Sequence, residues 1–394
     1  MTTAFARRTP TLWHGPGVAD HVVTQLTAGR EILVIADSAI PVPFRAASAA
    51  TTITVDASSV DVAFVSGIAR QVVRRSPEVI VAVGGGSVLD ASKIAALALA
   101  PGKTFDYAIG HAERSSLTVL PYAPPPVELV AVPTTLGTSS ETNSVGILKN
   151  DSGYRLIVGH SLRPRHAVID PRNLESLTHG AVREGALEAF LRLAGTSTSS
   201  GRSPRGSSEA VILGRALLET VSQDAVSSAG RLRLARLSAA TQRGAALRGR
   251  DPYSARHWYL ANEVAFVLGV RKMVATAAVI AAVWRRICAG DTRWGDRESL
   301  LEFWSRVASG VALPLEPAAG ITALIERWEI PLPPRPTARE ADRISTSTES
   351  SWGDRRPMLT GLVADDIREV LHDSCWGHPY AGEVRRPSTA TQRR

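Results

Sequence analysis

Residues 79–93, Val-Ile-Val-Ala-Val-Gly-Gly-Gly-Ser-Val-Leu-Asp-Ala-Ser-Lys, constrain this chain more than any other stretch. The unbroken apolar run Val79–Val83 reads as a strand buried on both faces, the kind found in parallel sheets. Gly84, Gly85 and Gly86 let the backbone turn sharply and come close to a ligand. Ser87 is placed to cap the helix that follows, with Asp90 in its first turn. Strand, glycine turn and helix N-terminus together make an anion site, because free N–H groups and the helix dipole point at one spot. A pyrophosphate fits there, and a tight turn with no ligand is the alternative.

Along the chain the same alternation recurs. Thr11–Gly17 reads as a short strand entering a turn, and Val22, Val23 and Leu26 follow at helical spacing. Glu31–Ala36 is a parallel-type strand ending at Asp37, whose carboxylate is suited to both hydroxyls of an adenine ribose and hostile to a 2′-phosphate. A plain turn cap is the other reading of Asp37. Ile53–Val55 gives another strand and Asp61–Arg75 a helix, while the Pro-, Ser- and Ala-rich segment from Pro101 to Pro126 reads as a loop. After the strand Val127–Val132 comes a second turn, Pro133-Thr-Thr-Leu-Gly-Thr-Ser-Ser-Glu141. Its hydroxyls are suited to phosphate or ribose oxygens at the carboxyl edge of the sheet. A hairpin over 145–158 and a strand at 167–170 complete an α/β half with helices on both faces of a parallel sheet. Beyond Leu174 only helical periodicity remains, broken at 195–208, 249–254 and 331–337. The expected organisation is an α/β domain over 1–171, an all-α domain over 172–380, a mobile loop over 196–208, and a disordered tail over 381–394.

Composition narrows the function classes. The net charge of +8 comes almost wholly from scattered arginines, with no basic stripe interleaved with aromatics, so nucleic acid is not an expected partner. Cys288 and Cys375 lack metal-type spacing. No signal-like segment opens the sequence, and the longest apolar stretch, Met273–Trp284, is too short for a bilayer; a cytoplasmic protein with no membrane role is expected.

Taken together, Gly84-Gly-Gly-Ser87 with Asp90 and Lys93, then Pro133-Thr-Thr with Gly137-Thr138 and Ser140-Glu141, resemble the iron-containing alcohol dehydrogenases. That superfamily also holds dehydroquinate synthase and glycerol dehydrogenase. His14-Gly-Pro-Gly17, Asp37, Pro164 and Asp170-Pro171 fall in the matching order. The resemblance is strong over about residues 10–175 and weak afterwards. It implies a dehydroquinate synthase-like fold: an α/β Rossmann-like N-terminal domain with a parallel sheet, and an all-α C-terminal domain. It also implies NAD as cofactor, NADP being disfavoured by Asp37. Gly84–Ser87 would take the pyrophosphate, with Thr134, Thr135 and Thr138 on the adenine and ribose side. A family lysine is replaced near Arg155.

The family's chemistry uses a divalent metal held by one Asp and three His. Aligning on Glu188-Ala189-Phe190 puts Ala181 and Gly185 at two ligand positions; aligning to the cyclase branch puts Glu188 on a ligand carboxylate. Counting back from Gly269 puts Asn262 at a third ligand and Phe266 at a second, often catalytic, histidine, and Lys272 falls at the last ligand. Asn is a poor ligand and a protonated Lys is none, so no metal is expected. Lys272 either binds a substrate carboxylate and stabilises an alkoxide or points to solvent. His257 is either a general base or structural. The resemblance thus implies NAD-dependent hydride transfer on an alcohol/carbonyl pair. A binding protein that keeps the fold without catalysis is the alternative, and a sugar-phosphate cyclase ranks last. A looser likeness, to the dehydrogenase-like enzymes of daptide-type ribosomal peptide pathways, implies oxidation of the C-terminal threonine of a peptide. By family analogy a homodimer or a partner enzyme is expected.

Overall fold

In the computed structural model, residues 9–44, 50–201 and 203–377 are described, so the expected tail over 381–394 lies outside them. The strands are β1 (Thr11–His14), β2 (Ile32–Asp37), β3 (Thr51–Val55), β4 (Val79–Gly84), β5 (Leu117–Val119), β6 (Glu128–Pro133), β7 (Val145–Asn150), β8 (Gly153–Val158) and β9 (His166–Ile169). Interleaved with them are helices α1 (Val18–Thr27), α2 (Val62–Arg75), α3 (Gly86–Ala96) and α4 (Thr104–Ala112). A six-stranded parallel sheet runs β1-β9-β6-β4-β2-β3. Period-two alternation splits β4: Ile80 and Ala82 join one apolar cluster, Val79, Val81 and Val83 the other, so both faces are covered. The 145–158 hairpin pairs with β5 as a separate three-stranded sheet, β5-β8-β7.

From His179 onward the described chain is helical: α5 (His179–Thr196), α6 (Pro204–Asp224), α7 (Ser228–Arg243), α8 (His257–Leu268), α9 (Lys272–Cys288), α10 (Arg297–Ala308), α11 (Pro317–Arg327), α12 (Ala338–Trp352) and α13 (Ala364–His372). They share one core in which Trp284, Trp304 and Trp352 are fully buried. Among the described residues no helix is long and apolar enough to cross a membrane.

Two expectations fail locally. The 101–126 segment carries α4, because Phe105, Ala108, Ile109 and Ala112 supply a helical stripe against the sheet cluster that its prolines obscured. Of the expected mobile loop at 196–208, residue 202 lies outside the described residues, Pro204 onward is helix, and described residues before it are tied down. Thr198 Oγ1 donates to the Gly195 and Ser254 carbonyls, and Ser203 caps α6 by accepting from Gly206 N.

The second turn is held by two buried cations. Lys93, 1% exposed on α3, pairs with Asp90 at 2.8 Å and donates to Asn143 Oδ1 at 2.9 Å, the Ser140 carbonyl at 3.2 Å and the Val145 carbonyl. Asp90 also accepts from Ser140 Oγ at 2.5 Å and Ile147 N at 3.0 Å. From α5, Arg192 donates to the Gly137 and Thr138 carbonyls and to Ser139 and Thr241 hydroxyls. Glu141 lies buried beside both cations, and burial pushes its carboxyl up to about 7 despite them.

Asp90→Asn leaves the Lys93 charge buried without its counter-ion. It is expected to cost ~3–5 kcal/mol, read as a drop in the urea midpoint. Glu141 gives a pH signature. Its unfolded carboxyl ionises near 4.5 and the folded one near 7, so the folded state holds the extra proton between those values. Stability should therefore fall as pH rises from about 4.5 to about 7 and level off above. Glu141→Gln should remove that slope in urea melts taken across the range.

Candidate active site

β4 ends at Gly84, level with Pro133 at the end of β6, and Thr134 N donates to the Gly84 carbonyl at 3.0 Å. The two turns thus lie side by side at the carboxyl edge of the sheet. A Cβ on Gly84 would lie 2.6 Å from Val88 Cβ, so the strand-to-helix turn itself requires glycine. A Cβ on Gly85 would meet Thr135 Cγ2 at 3.1 Å, and one on Gly86 would meet Thr138 Cγ2 at 2.9 Å. The glycines of one turn therefore face the threonines of the other across a gap that only hydrogen atoms keep open. Thr134 is 1% exposed, and its Oγ1 has no hydrogen-bond partner. An orphaned hydroxyl beside an uncapped helix start is a donor set that fits the phosphates and ribose of a dinucleotide.

The helix start differs from expectation. Gly85 is the N-cap and no side chain caps α3; Ser87 is already inside the helix and exposed. Asp90 lies beyond the first turn, and its carboxylate is committed to Lys93, Ser140 and Ile147, so it shapes the second turn instead of contacting a cofactor. Asp37 stands half-buried at the tip of β2, beside β4, with Oδ1 accepting from Ala39 N at 3.0 Å. Arg155 is 6% exposed on β8, under the electrostatic influence of Glu263 of α8. Arg155 Nη1 and both Glu263 oxygens lie 3.7 Å from a Cβ built on Gly153, so this arginine faces the rear helices.

The helical half meets these turns through Gly185 and Arg192 of α5, and α9 is tied to α5. On α5, Glu184, Gly185, Glu188 and Arg192 follow one another at helical spacing. Arg271, the residue before α9, pairs with Glu184 at 2.6 Å, which joins the two helices. Lys272, the first residue of α9, is half-buried, with Nζ 4.8 Å from the Trp258 ring centre. Burial holds its ammonium below the usual lysine range; Glu188 and Asp90 oppose the shift and Arg192 adds to it. Burial pushes the Glu188 carboxyl up, against Arg192 and Lys272.

His257 does not suit the role of general base. It is 2% exposed, wedged against Gly195 and stacked near Trp258, and burial with the Lys272 charge pushes it down to about 3. So weak a base is mismatched to proton abstraction near neutral pH. Asn262 is 3% exposed on α8. Arg192 divides its bonds between the Gly137 and Thr138 carbonyls and the Ser139 and Thr241 hydroxyls, all distant in sequence, so it carried no signal there.

These residues do not fit a divalent metal. The four aligned ligand positions carry Ala181, Gly185, Asn262 and Lys272, and among the described residues no three His, Cys, Asp or Glu side chains converge. Space is missing as well as chemistry. A Cβ on Gly185 would lie 2.4 Å from Leu136 Cδ1 and 2.5 Å from the Leu136 carbonyl oxygen, and one on Gly137 would lie 2.6 Å from Gly185 Cα.

The family model for iron-containing alcohol dehydrogenase matches residues 10–171. Phosphonoacetaldehyde reductase of Streptomyces viridochromogenes is 37% identical over 191 residues, 46% of this chain and 47% of that protein. The mitochondrial hydroxyacid-oxoacid transhydrogenase of Caenorhabditis elegans is 38% identical over 126 residues, 29% of this chain and 26% of its own length. The chain thus matches about half, or less, of these curated relatives. Solved structures match over nearly the whole chain at low identity. NADH-dependent butanol dehydrogenase A of Thermotoga maritima has a TM-score of 0.74 at 16% identity, covering 93% of this chain and 96% of its own. Sulfoacetaldehyde reductase of Bifidobacterium kashiwanohense, solved with NAD+, has a TM-score of 0.70 at 17% identity, covering 95% and 98%. Residues 10–171 therefore match an iron-containing alcohol dehydrogenase domain, and the fold shared with these dehydrogenase structures continues through the helical half.

Proposed function

We propose that this protein is an NAD-dependent oxidoreductase that moves hydride between the nicotinamide and an alcohol/carbonyl pair without the family's metal. The observation that carries this is the cradle formed by Gly85 and Gly86 against Thr135 and Thr138, with the Thr134 hydroxyl unpartnered beside it. Gly84–Ser87 would hold the pyrophosphate at the start of α3. Thr134, Thr135 and Thr138 would face the adenine and ribose side, and Asp37 would favour NAD over NADP. When bound, the cofactor supplies the hydride donor or acceptor. What the protein must add is positive charge at the substrate oxygen, and Lys272 would give it.

An anionic substrate end would suit the two cations beside Phe266. Phe266 lies between Lys149 of the hairpin, 5.8 Å from its ring centre, and Arg343 of α12, at 5.9 Å. The names of two similar proteins, phosphonoacetaldehyde reductase and sulfoacetaldehyde reductase, describe aldehydes with anionic groups. A peptide ending in threonine belongs to the same class. Oxidation of its hydroxyl would give a β-keto acid that loses carbon dioxide.

NADH should raise the melting temperature of the protein. Gly86→Ala, whose methyl would fill the gap to Thr138, should weaken NADH binding by at least about tenfold, or ~1.4 kcal/mol, in calorimetric titration. No thermal response to NADH would overturn the cofactor reading. Elemental analysis of purified protein should find well under one equivalent of zinc or iron, and chelator should leave turnover unchanged. Lys272→Ala should keep the NADH response and lower NADH consumption by on the order of 100-fold or more. Equal function in Lys272→Ala would favour a binding protein without catalysis.

A further inference from the structure

We propose that the helical half carries a second ligand site, separate from the cofactor cradle, for a tetrahedral oxyanion: inorganic phosphate or the phosphate end of a small ester. The site is a cavity of about 260 Å³ between the C-terminal end of α5, the start of α6, the segment between α7 and α8, and α10. It falls just below the roughly 300–1,000 Å³ of pockets that take drug-sized ligands, so it suits an ion-sized head group and not a dinucleotide. Gly185, which meets the second turn, and Ser197, which lines the cavity, stand roughly 18 Å apart along α5. Ser197 is 3% exposed, and among the described residues its Oγ has no hydrogen-bond partner. A buried hydroxyl left so is costly, and a ligand oxygen would answer it. Arg250 enters from the segment between α7 and α8. Its Nη2 donates to Ser207 Oγ at 2.7 Å and its Nη1 to the Thr196 carbonyl at 3.2 Å, which fixes the guanidinium plane, while its buried Nε is also without a partner. Ser299 and Arg306 of α10 line the same cavity.

Charge decides the class of guest. Among the described lining residues the one carboxylate is Glu302, whose Oε1 lies 3.5 Å from Arg306 on the next turn of α10. Glu302 also acts on Arg250, but the two arginines outnumber it. The 21-residue helix α6 begins at the cavity with Pro204. Ser203 accepts from Gly206 N at 3.2 Å and proline has no N–H, so the helix lends the positive end of its dipole more than free amides. A metal cation is repelled by this arrangement, and a neutral polyol leaves the excess charge unanswered. A tetrahedral oxyanion accepts from serine hydroxyls and guanidinium N–H groups at once, through charge-assisted bonds. Val211 and Phe303, both buried, give the cavity an apolar side, where the lower dielectric strengthens those bonds. A water-filled gap between helices would also accommodate these hydroxyls, and the two differ in their response to phosphate.

Inorganic phosphate is titrated into the full chain and followed by calorimetry and by the melting temperature. At about 10 mM it should raise the melting temperature by a few degrees, and sodium chloride at matched ionic strength should not. The glycine turn after β4 could also take phosphate, so the titration is repeated in Gly86→Ala, where the response should persist. Ser197→Ala removes the unpartnered hydroxyl without breaking a bond inside the protein, and Arg306→Gln alters a half-exposed side chain, so both should fold. Each should weaken phosphate binding by at least about fivefold, and Arg250→Gln should abolish it. Glycerol 3-phosphate distinguishes the sources. Tighter binding of the ester than of inorganic phosphate assigns the site to a phosphorylated metabolite and equal binding assigns it to the free ion, and either supports the site. No response to phosphate overturns it. So does a response left unchanged by Ser197→Ala and Arg306→Gln, or one lost in Gly86→Ala. The hydride-transfer reading plays no part in these outcomes, which stand whether or not NADH binds.

Discussion

The ion pair between Lys93 and Asp90 is the contact on which the cofactor side depends. A lysine this deep in an α/β core costs several kcal/mol to desolvate unless every donor is used. Here Lys93 reaches one carboxylate, one amide oxygen and two carbonyls, three of them on the segment from Ser140 to Val145. The loop after β6 therefore has to fold back over α3. Arg192 takes the same loop from the rear side by its carbonyls at 137 and 138. Neither cation is placed to touch a cofactor, yet together they bring the threonines opposite the glycines.

At the start of α9 the balance of charge is of another kind. Lys272 opens α9, where the helix dipole disfavours a cation, and it is also partly desolvated. Both effects press it toward the neutral amine, and Glu188 and Asp90 press back.

The front half was legible because its signals are local. β4 is an apolar run ended by glycines, and β6 repeats the arrangement, so residues 10–171 could be read as paired turns on one sheet edge. Asp90 and Ser87 were misplaced because their roles depend on where the helix begins, which Gly85 sets through backbone geometry. α4 was hidden by the prolines around it. The rear site was harder. One alignment frame puts Ala181, Gly185, Asn262 and Lys272 at ligand positions, but no spacing rule brings the start of α9 to α5. That approach depends on the Arg271–Glu184 pair. His257 could be read in sequence as a base or as structural, and in space it is a core residue.

The contact between Gly137 and Gly185 joins the two halves through bare backbone, with Leu136 entering the helical core beside it. A side chain at Gly185 would run into the Leu136 carbonyl and one at Gly137 into the Gly185 backbone, so the 136–137 strap and α5 have to shift together if either is enlarged, and the strap also carries the Arg192 anchors.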